Sequence, residues 1–349
     1  MDEFASIRHW TSGRQSESWQ RERGVRLGIG DDAALVDPAA PIAGVASPYE
    51  FIMAMDTMVE TVHFNEVTMT YEDIGYKALA ANVSDIAAMG GVPLQALVSV
   101  SVPRQLGPEP MRRLYDGLYA CAEQYGVAVI GGDTTSSPQH LVVAVTVTGA
   151  VEAGKALRRS GAKPGDAVVL TGPVGKSAAG LHSLLAQRER GADALAGERA
   201  AAQLVQAHRR PSPSVRAGRL LLARGTCHSL NDVSDGLASE AWEIAEASGL
   251  AVSLFDRQLP RSGSMAAYAG AAGIDPLEWM LYGGEDYVLL GTMEHGDAAA
   301  MQAAFHAEGL PFYIIGETSA GTPTVELIRV TDRGELRQPL AKRGYNHFE

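Results

Sequence analysis

Cysteine is nearly absent: Cys121 and Cys227 are the only two in 349 residues. That count supports neither a disulfide framework nor a zinc knuckle, and it fits a reducing compartment. Cations are outnumbered, with 29 Lys and Arg against 41 Asp and Glu and a net charge of −12. Such a chain offers no electrostatic footprint to nucleic acid or to an anionic membrane. It can still hold a phosphorylated ligand if divalent cations stand between the two sets of negative charge. Long apolar runs are missing too. The longest nearly apolar stretch, Leu141 to Val151, falls well short of the roughly 20 residues of a membrane span. The start, M-D-E-F-A-S-I-R-H-W, is too acidic and interrupted for a signal peptide, so the cytoplasm is expected. Aromatics are only 6%. What the chain does have is 46% hydrophobic residues, enough for a sizeable core, and 38 glycines with no collagen period. At roughly 150 residues per domain, two domains are expected.

Residues 11 to 26 are polar and read as a mobile lead-in. Glu72 to Met89 has apolar residues at helical spacing and stops at Gly90-Gly91. Leu94 to Val102 and Leu141 to Val147 alternate like half-buried strands. Pro108 to Tyr125 reads as a helix, followed by a short strand from Val127 to Ile130. This order predicts an α+β first domain with antiparallel pairing, ending near Ala153-Gly154, so that domains span 1–152 and 153–349. Beyond it, Ala167 to Thr171 reads as a strand, and Lys176 to Gln187 and Gly236 to Ser248 as helices. Arg210 to Pro213 reads as a loop, and 188 to 200 as an exposed connection. Asn82-Val-Ser-Asp85 echoes Asp232-Val-Ser-Asp235, which fits two halves of shared layout or a chance match.

Acidic residues beside Gly or Ser recur in expected loops and helix ends: Asp31-Asp32, Asp56, Asp85, Asp133, Asp232 with Asp235, and Glu285-Asp286. A solvated face would scatter carboxylates along helices with cations four residues on. These instead punctuate apolar stretches with few cations nearby. Carboxylates beside buried strands are costly without a compensating positive charge. Taken singly, each fits a turn or a helix cap. Taken together, they point to several hard cations such as Mg²⁺, which accept oxygen ligands and leave places for phosphate oxygens.

Two glycine motifs mislead. Gly28-Ile-Gly-Asp-Asp-Ala33 nearly matches a dinucleotide fingerprint, but its two carboxylates would face the pyrophosphate. In Gly172-Pro-Val-Gly-Lys-Ser177 the loop is two residues too short for a phosphate loop, because Leu170 stands where the first glycine is required. It reads as a tight strand-to-helix turn. His63 is either structural or a ligand contact. Arg158-Arg159 either clamps a phosphate or lies exposed, and Tyr345 reads first as an anchoring aromatic. No Ser-His-Asp or Cys-His constellation has local context, so covalent catalysis has no support.

G-I-G-D-D-A-A-L, Y-K-A-L-A-A-N-V-S-D-I-A-A-M-G, I-G-G-D-T-T, R-S-G-A-K-P-G-D, V-S-D-G-L, Y-G-G-E-D-Y and G-Y-N-H-F occur in this order. Together they resemble the thiamine-monophosphate kinase family, from about Leu27 to Phe348. That family lies in a superfamily with aminoimidazole ribonucleotide synthetase and selenophosphate synthetase. The resemblance implies a two-domain synthetase-like fold, α+β then α/β, and a homodimer whose N-terminal sheets pair. It implies ATP and thiamine monophosphate in an interdomain cleft, with direct γ-phosphoryl transfer and no phosphoenzyme. By resemblance, Asp32, Asp56, Asp85, Asp133, Asp232 and Asp235 are metal ligands. Tyr115, Gly132, Asp133, Arg159 and Ser234 become ATP contacts, and His63, Glu285 and Tyr345 substrate contacts. Most of the catalytic weight, through metal, falls on Asp85 and Asp133. One departure stands out: where the family has hydroxyl residues before the second acidic motif, this chain has Ala54-Met55. A different ATP-dependent superfamily enzyme and a non-catalytic nucleotide-binding homologue are the competing readings. A structural scaffold leaves the carboxylates unexplained.

Overall fold

The computed structural model describes residues 3–29, 33–190, 198–332 and 334–344. Two compact units divide the chain, one comprising Met1–Ile86 and Gly91–Lys155, the other Ala87–Gly90 and Ala156–Glu349.

The first unit runs α1 (Glu3–Thr11), α2 (Glu17–Arg21), β1 (Val25–Leu27), β2 (Leu35–Val36), β3 (Tyr49–Val59), α3 (Tyr71–Ala88), β4 (Val92–Pro103), α4 (Pro108–Tyr125), β5 (Ala128–Ser137) and β6 (Val142–Glu152). Its main sheet has the order β3-β6-β4-β5. β3 and β4 both pair antiparallel with β6, but β4 and β5 run parallel. The parallel pair departs from the expected antiparallel layout because α4 carries the chain back to the start of the sheet between them. Along β6 the alternating residues Val143, Val145 and Val147 are fully buried, while Thr146 and Thr148 face the other way. The lead-in is not loose. Gln15 bonds both Val127 O and Val129 N, Arg23 donates to the Gly126 carbonyl, and the Arg23 guanidinium lies 3.6 Å from the Trp19 ring centre. Polar side chains there saturate backbone groups bordering β5, which the composition alone could not reveal.

The second unit runs β7 (Ala167–Leu170), α5 (Lys176–Arg190), α6 (Glu198–Arg209), α7 (Val215–Arg224), β8 (Cys227–Asp232), α8 (Leu237–Ser248), β9 (Ala251–Phe255), α9 (Gly263–Ala272), α10 (Leu277–Tyr282), β10 (Leu289–Met293), α11 (His295–Ala307), β11 (Tyr313–Ser319), β12 (Thr324–Thr331) and β13 (Gly334–Pro339). Its sheet has the order β13-β12-β9-β11-β7-β10-β8, and only β9 and β12 pair parallel. Val168 and Leu170 enter one apolar cluster with α8 to α10, whereas Ala167 and Val169 enter a second with α7 and α11. Both faces of this sheet are therefore covered, and every residue of β7 and β10 is buried. Cys121 and Cys227 are buried free thiols, and burial pushes the Cys227 thiol up to about 12. Among the described residues no helix is long and apolar enough to cross a membrane.

Candidate active site

In the first unit the acidic residues sit inside regular elements rather than in loops. Asp56 is in mid-β3, Asp85 in the last turns of α3 and Asp133 in β5. Asp56 aligns with Val145, Val98 and Gly132 across the sheet, on the helix-covered face. Strand alternation turns it toward α3, and a hydrogen bond joins it to Asp85. Crowding by protein atoms raises the Asp56 carboxyl above its ordinary range, and the Asp85 bond opposes that rise. Asp133 aligns one row along, with Ser99, Ala144 and Thr57, so alternation directs it to the opposite face. Asp56 and Asp85 are thus brought together, and Asp133 is not. Gly132 is fixed by packing: at φ +154°, a Cβ there would lie 1.8 Å from the Val98 carbonyl oxygen. His63 Nδ1 accepts from Val59 N at 3.0 Å, which puts the ring proton of the neutral form on Nε2. Tyr115, expected against the nucleotide, is 5% exposed, and Trp10 of α1 stacks on its ring at 5.6 Å and 16°. No motif around Trp10 hints at that cover. Asp31, Asp32 and Tyr345 lie outside the described residues.

In the second unit, Asp232 closes β8 and is 3% exposed, with Ser234 and Asp235 in the turn that leads into α8. Asp235 N donates to Glu240 Oε1 at 3.2 Å, and Ser234 Oγ donates to the same oxygen at 3.4 Å. Glu240 Oε2 accepts from Asn231 Nδ2, and Asn231 Oδ1 accepts from Arg159 Nε at 3.0 Å. Burial, and next the Asp232 charge, push the Glu240 carboxyl up to about 8. Neither Asn231 nor Glu240 stands out in the sequence. A Glu in the first turn of a helix looks like ordinary dipole complementation, and only its reach back to the turn sets it apart.

Glu285 is held at φ +64°, its N–H donating to the Ser234 carbonyl at 2.6 Å. Its Oε2 is 3.4 Å from Nδ1 of the buried His208, which also meets Ser177 Oγ at 3.0 Å. Serine and carboxylate approach the same ring nitrogen, so this trio is not a nucleophile–base–orienter relay. Asp286 accepts from Gly175 N at 2.5 Å and Ser177 N at 3.0 Å. The start of α5 is thereby filled by the chain's own carboxylate, and the Gly172–Ser177 segment is the tight turn expected rather than a phosphate loop. Gly175 is required there: at φ +86°, a Cβ would lie 2.8 Å from Met280 N. Among the described residues, no group of three or more His, Cys, Asp or Glu side chains is gathered closely enough to hold a metal ion.

Two family models cover the chain: AIR synthase related protein, N-terminal domain, over residues 30–151, and AIR synthase related protein, C-terminal domain, over 163–328. Thiamine-monophosphate kinase of Bacillus subtilis (strain 168) is 40% identical over all of both chains. The chain belongs to the thiamine-monophosphate kinase family. A crystal structure of thiamine-monophosphate kinase from Stenotrophomonas maltophilia K279a superposes with a TM-score of 0.76 at 34% identity, covering 89% of this chain and 94% of that one. A structure of AaThiL complexed with AMPPCP and TMP gives 0.74 at 30% identity, covering 92% of each. The Ala54-Met55 departure from the family pattern divides between two surfaces. Ala54 shares the face of Asp56, whereas Met55, 64% exposed, joins Phe51 and Met53 on the open face of the sheet.

Proposed function

We propose that this chain transfers the γ-phosphoryl group of ATP to the phosphate of thiamine monophosphate, yielding thiamine diphosphate and ADP in a Mg²⁺-dependent reaction. The observation that carries the reading is the hydrogen-bonded Asp56–Asp85 pair in a member of this kinase family. Two neighbouring carboxylates fit a hard cation, and in the second unit Asp232 and Asp235 bring further negative charge, both raising the Glu240 carboxyl. Asp56 and Asp85, with Asp32, would hold metal in the first unit, Asp133 would serve a separate position on the other face of its sheet, and Asp232 and Asp235 would hold metal in the second. Bound Mg²⁺ supplies charge neutralisation for the phosphates.

The protein's own groups do the positioning. Arg159 and Ser234 grip ATP phosphates, while Gly132 leaves its backbone open to the nucleotide. His63 Nε2–H and the Glu285 carboxylate orient thiamine monophosphate, with Tyr345 against its rings. A γ-phosphorus–oxygen bond to ADP breaks as one forms to an oxygen of the substrate phosphate, and no side chain is phosphorylated. AMPPCP together with TMP on AaThiL supports a site that takes both ligands at once.

The working form is a homodimer in the cytoplasm. Its dimer reading is supported by the open sheet face, where Phe51, Met53, Met55 and Leu97 are 40–73% exposed. Phe51, Met53 and Leu97 also border a depression of about 260 Å³, together with Val36 and Thr146. Monomeric surfaces seldom leave so contiguous an apolar patch uncovered. The cytoplasmic reading rests on the two free, buried thiols.

The test is to incubate the protein with Mg-ATP and thiamine monophosphate and to resolve products chromatographically. Equal amounts of thiamine diphosphate and ADP, abolished by EDTA, are expected, and Asp133→Asn should fold normally without turning over. ADP and free phosphate without thiamine diphosphate would move the acceptor elsewhere in the superfamily.

A further inference from the structure

The turn that carries Ser234 and Asp235 is tied to Arg159 by two residues that touch neither ligand in the proposed scheme. Asn231 is 2% exposed and Glu240 3% exposed, so each polar atom there needs a partner. A guanidinium only donates, and both Glu240 oxygens accept here. Between them stands Asn231, whose carbonyl oxygen faces Arg159 Nε at 3.0 Å and whose amide nitrogen donates to Glu240 Oε2. Neutral residues able to accept at one end and donate at the other with a planar group are few, and Asn has the length that fits. Glu240 Oε1 then receives Asp235 N and Ser234 Oγ. The Arg159 head is otherwise lightly held, being 54% exposed with Glu243 3.6 Å away. A long exposed side chain so held samples many rotamers unless its Nε bond fixes it.

We infer that Asn231 and Glu240 are positioning residues that lock the Arg159 guanidinium in register with the Ser234–Asp235 turn, so that both reach the nucleotide phosphates pre-arranged. This rests on the kinase reading above and adds the device that aligns its nucleotide contacts. Neither residue takes part in bond making. Their effect falls on nucleotide affinity and on the KM for ATP, with the KM for thiamine monophosphate left alone.

The polarity of the relay can be inverted without changing its net charge. Asn231→Asp alone takes the amide donor away from Glu240 Oε2 and crowds two buried carboxyl groups, and Glu240→Gln alone offers an amide to donors that need an acceptor. In the double variant N231D/E240Q, the carboxylate at position 231 accepts from Arg159 and from the new amide at position 240. The amide oxygen at position 240 still accepts Asp235 N. Binding of AMPPCP with Mg²⁺ is measured by calorimetry, alongside KM for both substrates and the thermal midpoint. Each single variant is expected to weaken AMPPCP by about tenfold or more, as loss of a charged buried bond implies. The double variant should return to within about threefold of wild type, as reciprocal coupling requires. Asn231→Ser adds no buried charge and should also weaken AMPPCP selectively, which keeps the test available if N231D fails to fold. A double variant no better than its worse parent would overturn the relay. So would equal losses for both substrates, or singles with unchanged AMPPCP affinity. Wild-type protein that makes no thiamine diphosphate would instead overturn the underlying kinase reading.

Discussion

The two sheets finish their burial in different ways. In the seven-stranded sheet, alternate residues of β7 feed two separate apolar clusters, and helices lie on both faces. In the four-stranded sheet one face is packed, with Val143, Val145 and Val147 at 0% exposure. Its other face leaves Met53 at 73% and Met55 at 64%. Similar strand residues thus end in a closed core in one unit and on an exposed apolar face in the other. Buried substitutions should unfold the covered sheet, while matched ones on the open face should change only association.

A charge in the covered sheet is the sharpest way to break that contrast. Val169→Asp places a carboxylate in a fully buried position of β7 and should cost more than about 4 kcal/mol, giving an unfolded or insoluble product by circular dichroism. The counterpart on the open face, Met53→Asp, should keep its folded spectrum and move the mass measured by light scattering from dimer to monomer. A dimer that survived Met53→Asp would remove the open face as its interface.

Smaller effects are expected at the α5 start, where the second unit supplies its own anion. Asp286→Ala strips acceptors from Gly175 N and Ser177 N and should lower stability by about 1–3 kcal/mol in denaturant titrations. Burial, against the opposing Ser177 and Gly175 N–H groups, holds the Asp286 carboxyl up at about 7, far above its ordinary 3.8. The folded chain therefore keeps a proton that the unfolded chain releases above about pH 4. That contribution is fully present at low pH and is lost as pH rises through about 7. Relative to Asp286→Asn, which cannot titrate there, wild-type melting temperature should fall across this window and level off above about pH 8. Least of all, Asp56→Asn should slightly raise the melting temperature in EDTA, since it removes a crowded charge, while losing the response to added Mg²⁺. A drop in EDTA would mean that the Asp56 charge is satisfied within the protein.

The sequence exposes the elements more readily than the contacts between them. Pro108 to Tyr125 is legible because proline opens the helix and Gly126 closes it at φ +71°. The strand alternation of β6 is equally plain. What short-range pattern hides is partnership at long separation. The Asp56–Asp85 bond joins a strand to a helix, and the register that separates Asp133 from them depends on which strands become neighbours. Trp10 over Tyr115 depends on a lead-in whose polar composition suggests no docking. Asn231 and Glu240 carry no motif of their own, because each looks ordinary until Arg159 arrives from 72 residues away.

The most direct measurement follows the label from ATP carrying a marked γ-phosphate, with thiamine monophosphate present, in Mg²⁺ and in EDTA. Label is expected in the terminal phosphate of thiamine diphosphate in Mg²⁺, one per ADP formed, and none in EDTA. Label recovered as inorganic phosphate, or bound to the protein through a stable phosphoryl group, would contradict direct transfer between the two ligands.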